Sequence, residues 1–129
     1  MTTAFWCVLI AGLLPLTATG IAKFTGGSKM GPRENHNPRE WLEKLDGYKK
    51  RAHWAQLNSF EAFPFFAAGV IVAQLAGAAQ AAVDQLAIAF IAVRVAYLVC
   101  YLADWATVRT LVWTAGYVIT IALFVSPTF

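Results

Sequence analysis

Charge is scarce in this chain. Lys and Arg number 10 and Asp and Glu 7, against 59% hydrophobic residues among 129 and a mean hydropathy of +0.58. A soluble domain of this size would have too little polar surface to cover such a core. Cysteine is scarce as well. Cys7 and Cys100 each stand in an apolar run, with no C-x-x-C and no metal-ligand spacing, so no disulfide framework or metal centre is expected and both thiols read as free core residues. No internal repeat and no low-complexity tract is visible, which leaves one domain, residues 1–129. No basic, aromatic-rich platform is present, so the net charge of +3 gives no reason to expect nucleic acid. Met1 to Trp6 hold no Lys or Arg. A signal peptide would open on a basic region and end at a small-residue cleavage site, so the first apolar run is expected to remain in the protein.

What the chain does have is long uncharged stretches. Four spans are predicted, at about residues 2–23, 48–76, 81–103 and 107–127, each near the ~20 residues a bilayer-crossing helix requires. Only short links separate spans two, three and four, which makes those helices antiparallel neighbours. The expected fold is all-α: an integral membrane four-helix bundle in up-down antiparallel order. Residues 24–47 form the one long loop. It opens irregularly, with Gly26, Gly27, Gly31 and Pro32. Asn37 and Pro38 then suit the N-cap and first position of a short helix, which Gly47 should end or bend.

Eight of the ten basic residues fall between Lys23 and Arg51. Basic loops stay on the cytoplasmic side. The expected orientation is therefore a cytoplasmic first loop with both termini periplasmic, as in a bacterial inner membrane.

Polar residues at the mouth of the second span carry the functional signal. Arg51, Asn58 and Glu61 run directly into the uncharged stretch Ala62 to Val83. On a helix turning about 100° per residue they share one broad face. Arg94 sits in the middle of the third span, where an isolated cation costs at least ~2.5 kcal/mol. Glu61 lies ten residues past Arg51 and Arg94 ten before Asp104, so both fall about 15 Å from the same membrane edge. A Glu61–Arg94 ion pair is expected on that basis. Breaking one partner of such a pair costs ~3–5 kcal/mol.

Tyr97, Tyr101 and Asp104 follow Arg94 at helical offsets on one side. Arg109 follows Tyr101 by eight residues. Each has a plainer reading: Tyr101 as an interface anchor, Arg109 as a topology-setting charge. His53 reads as an interfacial residue, and Asp104 either orients Arg109 or caps the link. Taken together, the face suits an anionic, thiol-bearing ligand. A guanidinium grips carboxylates bidentately and favours the reactive thiolate. A cleft open to the membrane would admit an apolar second substrate. An ion or transport site would use similar residues.

The run Arg51…Asn58-x-x-Glu61-x-x-Pro64, followed by Arg94-x-x-Tyr97-x-x-x-Tyr101 and Arg109, resembles the MAPEG family, the membrane-associated proteins of eicosanoid and glutathione metabolism. The likeness covers essentially the whole chain and is strongest to short bacterial-type members. It implies a homotrimer of four-helix subunits with glutathione, as thiol co-substrate, between adjacent subunits near the cytoplasmic side. By position, Arg51, Asn58, Glu61, Arg94 and Tyr97 would hold glutathione. Arg109 would activate its thiol and Tyr101 would line the reacting cleft. Trp54 departs from the pattern, standing where several glutathione-using members have an arginine.

The leading reading is a glutathione-dependent transferase or peroxidase acting on a lipophilic electrophile. A second is a non-enzymatic membrane protein that keeps the fold and its buried polar pair. A third is a small transporter, although neither inverted repeats nor broken helices are visible.

Overall fold

The computed structural model describes residues 1–129 and is entirely helical. Four long helices dominate: α1 (Thr3–Phe24), α3 (Gly47–Leu75), α4 (Gln80–Leu102) and α5 (Ala106–Val125). A short helix, α2 (Pro38–Glu43), lies in the loop between α1 and α3. All four long helices have the length and apolarity to cross a membrane. Only 26 of 129 residues are buried, while large apolar side chains such as Leu111 and Val118 stand out from α5. Such an apolar exterior suits lipid, not water.

Small residues let the helices close up. Ala4, Cys7 and Ala11 of α1 pack with Phe66, Val70 and Ala73 of α3, with Val83, Ala87 and Phe90 of α4, and with Leu123 of α5. Phe66 and Phe90 stack at 3.9 Å between centroids. Gly69 brings α3 against α5, where an added Cβ would sit 3.3 Å from Leu123. Membrane helices lack a hydrophobic driving force toward one another, so close packing of this kind carries their association.

Helix ends explain the links. Both α3 and α4 finish in a Schellman motif. Ala78 N donates to Ala73 O and Gly77 N to Gln74 O, then Trp105 N to Cys100 O and Asp104 N to Tyr101 O. The motif requires a left-handed residue just past the helix. Gly77 supplies it at φ +79° and Asp104 at φ +62°. Asp104 is exposed and makes no side-chain bond to Arg109, so its role is this turn. Asp104→Gly should leave stability unchanged or raise it by up to ~1–2 kcal/mol, and Asp104→Val should lower it by a similar amount. Thermal unfolding of the two variants in detergent checks this.

The loop departs from expectation in two places. Asn37 precedes α2 but makes no side-chain cap bond, although Pro38 does start that helix. Gly47 does not end α2, which stops at Glu43; at φ +56° it starts α3. Three successive cations then anchor the first turns of α3. Lys49 Nζ donates to Ser28 O in the loop and Lys50 Nζ to Glu43 O at the end of α2. Arg51 donates from Nε to Tyr101 O and from Nη2 to Leu102 O. Ser28 O, Glu43 O and Leu102 O have no backbone partner and are satisfied in this way, while Tyr101 O also accepts from Asp104 N.

At the opposite end, Asp84 Oδ1 accepts from Ala4 N at 2.8 Å and from Gln80 Nε2 at 2.8 Å. One carboxylate thus ties the start of α4 to the start of α1.

Candidate functional site

Four of the polar residues singled out in the sequence form a column along α4 and onto α5. The Arg94 guanidinium lies 4.3 Å from the Tyr97 ring centre. Tyr97 meets Tyr101 edge-on at 5.5 Å. The Arg109 guanidinium lies 4.4 Å from the Tyr101 ring centre. The spacing of Arg94, Tyr97 and Tyr101 puts them on one side of α4. The turn at Asp104 folds Arg109 back against them. Cations over aromatic faces are worth ~0.5–2 kcal/mol each, more where water is excluded.

Arg94 is the buried end of the column, 4% exposed. Its Nη2 donates to Asn58 Oδ1 at 2.9 Å and to Ser59 Oγ at 3.2 Å. The expected Glu61–Arg94 ion pair is not formed. The one ion pair in the chain is Lys44–Glu40, exposed on α2, where the hydrogen bond from Lys44, then its charge, holds the Glu40 carboxyl below its usual range. The depth estimate sets height along the helix but not direction around it. Arg94 points between Asn58 and Ser59, while Glu61 lies roughly 60° beyond Asn58 on its other flank. Glu61 is therefore exposed on the outer face of α3, about two turns past Trp54, which is also exposed.

Two small cavities flank Arg94, each of about 10 Å³, roughly the space of one water molecule. One lies toward α5, lined by Phe65, Phe90, Trp113 and Tyr117. The other lies toward α1, lined by Ala11, Leu14 and Phe63.

The site residues thus divide into two groups. Arg51 and Arg94 spend their guanidinium groups inside the chain, on the end of α4 and on Asn58 and Ser59. The side chains of Arg109 and Glu61 and the phenolic oxygens of Tyr97 and Tyr101 make no hydrogen bond or ion pair to any group of the chain. Arg109 is half-buried, its side chain held by the ring contact with every guanidinium N–H unclaimed. An oriented but unneutralised guanidinium is suited to an anion.

Two features carry little signal in the sequence. Ser59 is buried beside Asn58 and accepts from Arg94; a small hydroxyl next to the motif asparagine was the available signal. His53, near the start of α3, is buried within the bundle. Its Nδ1 and the Gln56 Oε1 three residues on lack partners, an orientation that a single His nearly two turns inside a helix does not announce.

No curated protein and no solved structure gives a match to this sequence. The MAPEG family matches over residues 3–129. That span takes in all four long helices and the whole Arg94–Arg109 column, and the chain is a member of the MAPEG family.

Proposed function

We propose that this protein is a glutathione-dependent transferase or peroxidase of the membrane, acting on a lipophilic electrophile. The observation that carries the reading is Arg109, fixed against Tyr101 with its donors free. Glutathione carries two carboxylates, one ammonium group and a thiol. The Arg109 guanidinium would stabilise its thiolate, which is the nucleophile, while the thiol proton leaves to solvent. Tyr101 would line the reacting cleft. Asn58, Glu61 and Tyr97 would hold the peptide, with Glu61 taking its ammonium group. Arg51 and Arg94 would act behind them, fixing the end of α4 and the position of Asn58.

The site would be completed by neighbouring copies in a homotrimer. The exposed Glu61 supports this, because a carboxylate facing lipid is costly and a subunit boundary would cover it. An up-down helix order is supported at both ends of the bundle. Asp84 joins the start of α4 to the start of α1, and Arg51 joins the start of α3 to the end of α4. The basic end would face the cytoplasm of a bacterial inner membrane, with the termini periplasmic.

The test is product analysis. The purified protein is incubated with glutathione and an aryl halide, an epoxide or a lipid hydroperoxide. A thioether product supports transfer. Alcohol, water and glutathione disulfide from the hydroperoxide and two glutathiones support reduction. No turnover with any of them favours a second reading, a non-enzymatic member of the family. Trp54 favours that reading: its indole, with the Lys50 ammonium 5.7 Å above it, cannot grip a carboxylate.

A further inference from the structure

The basic loop holds more positive charge than its own contacts use. Of the eight cations between Lys23 and Arg51, Lys49, Lys50 and Arg51 are each bonded to a carbonyl. Lys44 is paired with Glu40. Lys23, Lys29, Arg33 and Arg39 remain, with no hydrogen bond or ion pair from their side chains. Three of these four belong to one short segment. The chain leaves α1 at Lys23 and Phe24, and Met30 N then returns to Lys23 O at 2.8 Å. The fold-back builds an open groove of about 310 Å³, lined by Lys23, Phe24, Met30, Gly31, Pro32 and Asn35. Lys29 and Arg33 adjoin its lining residues in sequence. The one acid of the segment, Glu34, is engaged through Oε2 by Gly31 N at 2.9 Å.

Position decides what such a groove can take. Lys23 and Phe24 are the last two residues of a 22-residue helix, about 33 Å long at 1.5 Å per residue and so matched to the hydrocarbon core. The groove therefore sits at the level of the lipid headgroups. Phe24 is 61% exposed beside it, and an outward aromatic ring at this level inserts among acyl chains. Lys23 and the exposed Phe24 ring border the same groove, so a cation and an apolar ring are both at hand for a lipid's phosphate and chains.

We propose that this groove is a binding site for the headgroup of an anionic glycerophospholipid, with Lys23 as its principal phosphate contact and Lys29 and Arg33 reinforcing it. The site is separate from the column that ends at Arg109. Basic pockets at the cytoplasmic side of transmembrane helices bind anionic headgroups in this manner. The proposal rests on the membrane reading of the four helices but not on their orientation, because both leaflets of a nanodisc are alike.

The experiment uses the full chain in nanodiscs holding phosphatidylglycerol and phosphatidylcholine, released into native mass spectrometry. Phosphatidylglycerol should be retained over phosphatidylcholine. Lys23→Gln should retain roughly five-fold less, the weight of one cation near the headgroup plane. Lys23→Arg and Lys44→Gln should retain it as the native protein does, which separates loss of the site from loss of fold. Equal retention by Lys23→Gln and the native protein would overturn the proposal. Displacement by inorganic phosphate at constant ionic strength would overturn it in favour of a soluble anion. Displacement by glutathione would overturn it by joining the groove to the thiol site. Loss of glutathione turnover with lipid retention intact would sink the proposed reaction and leave the lipid site standing.

Discussion

Replacing Asn58 with Leu should destabilise the bundle by about 3–5 kcal/mol, more than replacing Arg94 itself with Met. Asn58 Oδ1 is the closest acceptor of the buried Arg94, at 2.9 Å. Its loss leaves a cation in a low-dielectric interior with Ser59 as its one hydrogen-bonding partner. Arg94→Met removes the charge together with its desolvation cost and keeps most of the volume. The remaining penalty is Asn58 and Ser59 without a donor, about 1–3 kcal/mol. The double variant Asn58→Leu/Arg94→Met should recover most of what Asn58→Leu loses. Asn58→Asp should be tolerated best, because it offers Arg94 a carboxylate in place of an amide. Unfolding in mixed micelles, without ligand, measures each arm. The same cycle on Glu61 and Arg94 should show coupling within ~0.5 kcal/mol, as expected for residues without a shared contact. Strong coupling there, with none between Asn58 and Arg94, would restore the Glu61 ion pair.

Arg109→Ala should lower kcat/KM for glutathione conjugation by about 10²–10³-fold while barely moving the unfolding temperature. The kinetic effect is the size expected when one preorganised stabiliser of a developing anion is removed. The stability effect is small because the Arg109 side chain makes no hydrogen bond or ion pair. What the fold loses is its contact with the Tyr101 ring at 4.4 Å, worth ~0.5–1 kcal/mol for a site that is not fully desolvated. Arg109→Lys separates charge from shape. An ammonium keeps the positive charge but not the planar donor fork, so partial activity is expected. Activity and unfolding temperature falling together would mean that Arg109 serves the fold, as a topology-setting charge would.

Four long apolar helices were legible because runs of uncharged residues are a one-dimensional signal. The i, i+3, i+7 spacing of Arg94, Tyr97 and Tyr101 likewise forecast their shared side of α4. What the sequence withheld was direction around the neighbouring helix. Arg94 needed a polar partner, and depth pointed to the right turn of α3. Asn58, Ser59 and Glu61 all lie near that height, and only packing decides which of them faces α4. Arg51 illustrates the same limit. Its charge suggested a ligand; in the fold it also bonds Leu102 O at the end of α4, and no linear pattern announces that the end of one helix meets the start of another. Gly47 was read as a stop because glycine commonly follows a helix. Here its left-handed φ turns the chain into the next one.

The central claim is that the outward-facing set around Arg109 turns a bound thiol into a thiolate. The most direct measurement adds glutathione to the detergent-solubilised protein and follows ultraviolet thiolate absorbance, with Arg109→Ala alongside. The account predicts a saturable signal in the native protein that is absent from the variant. No signal at millimolar glutathione, or the same signal in both proteins, would contradict it.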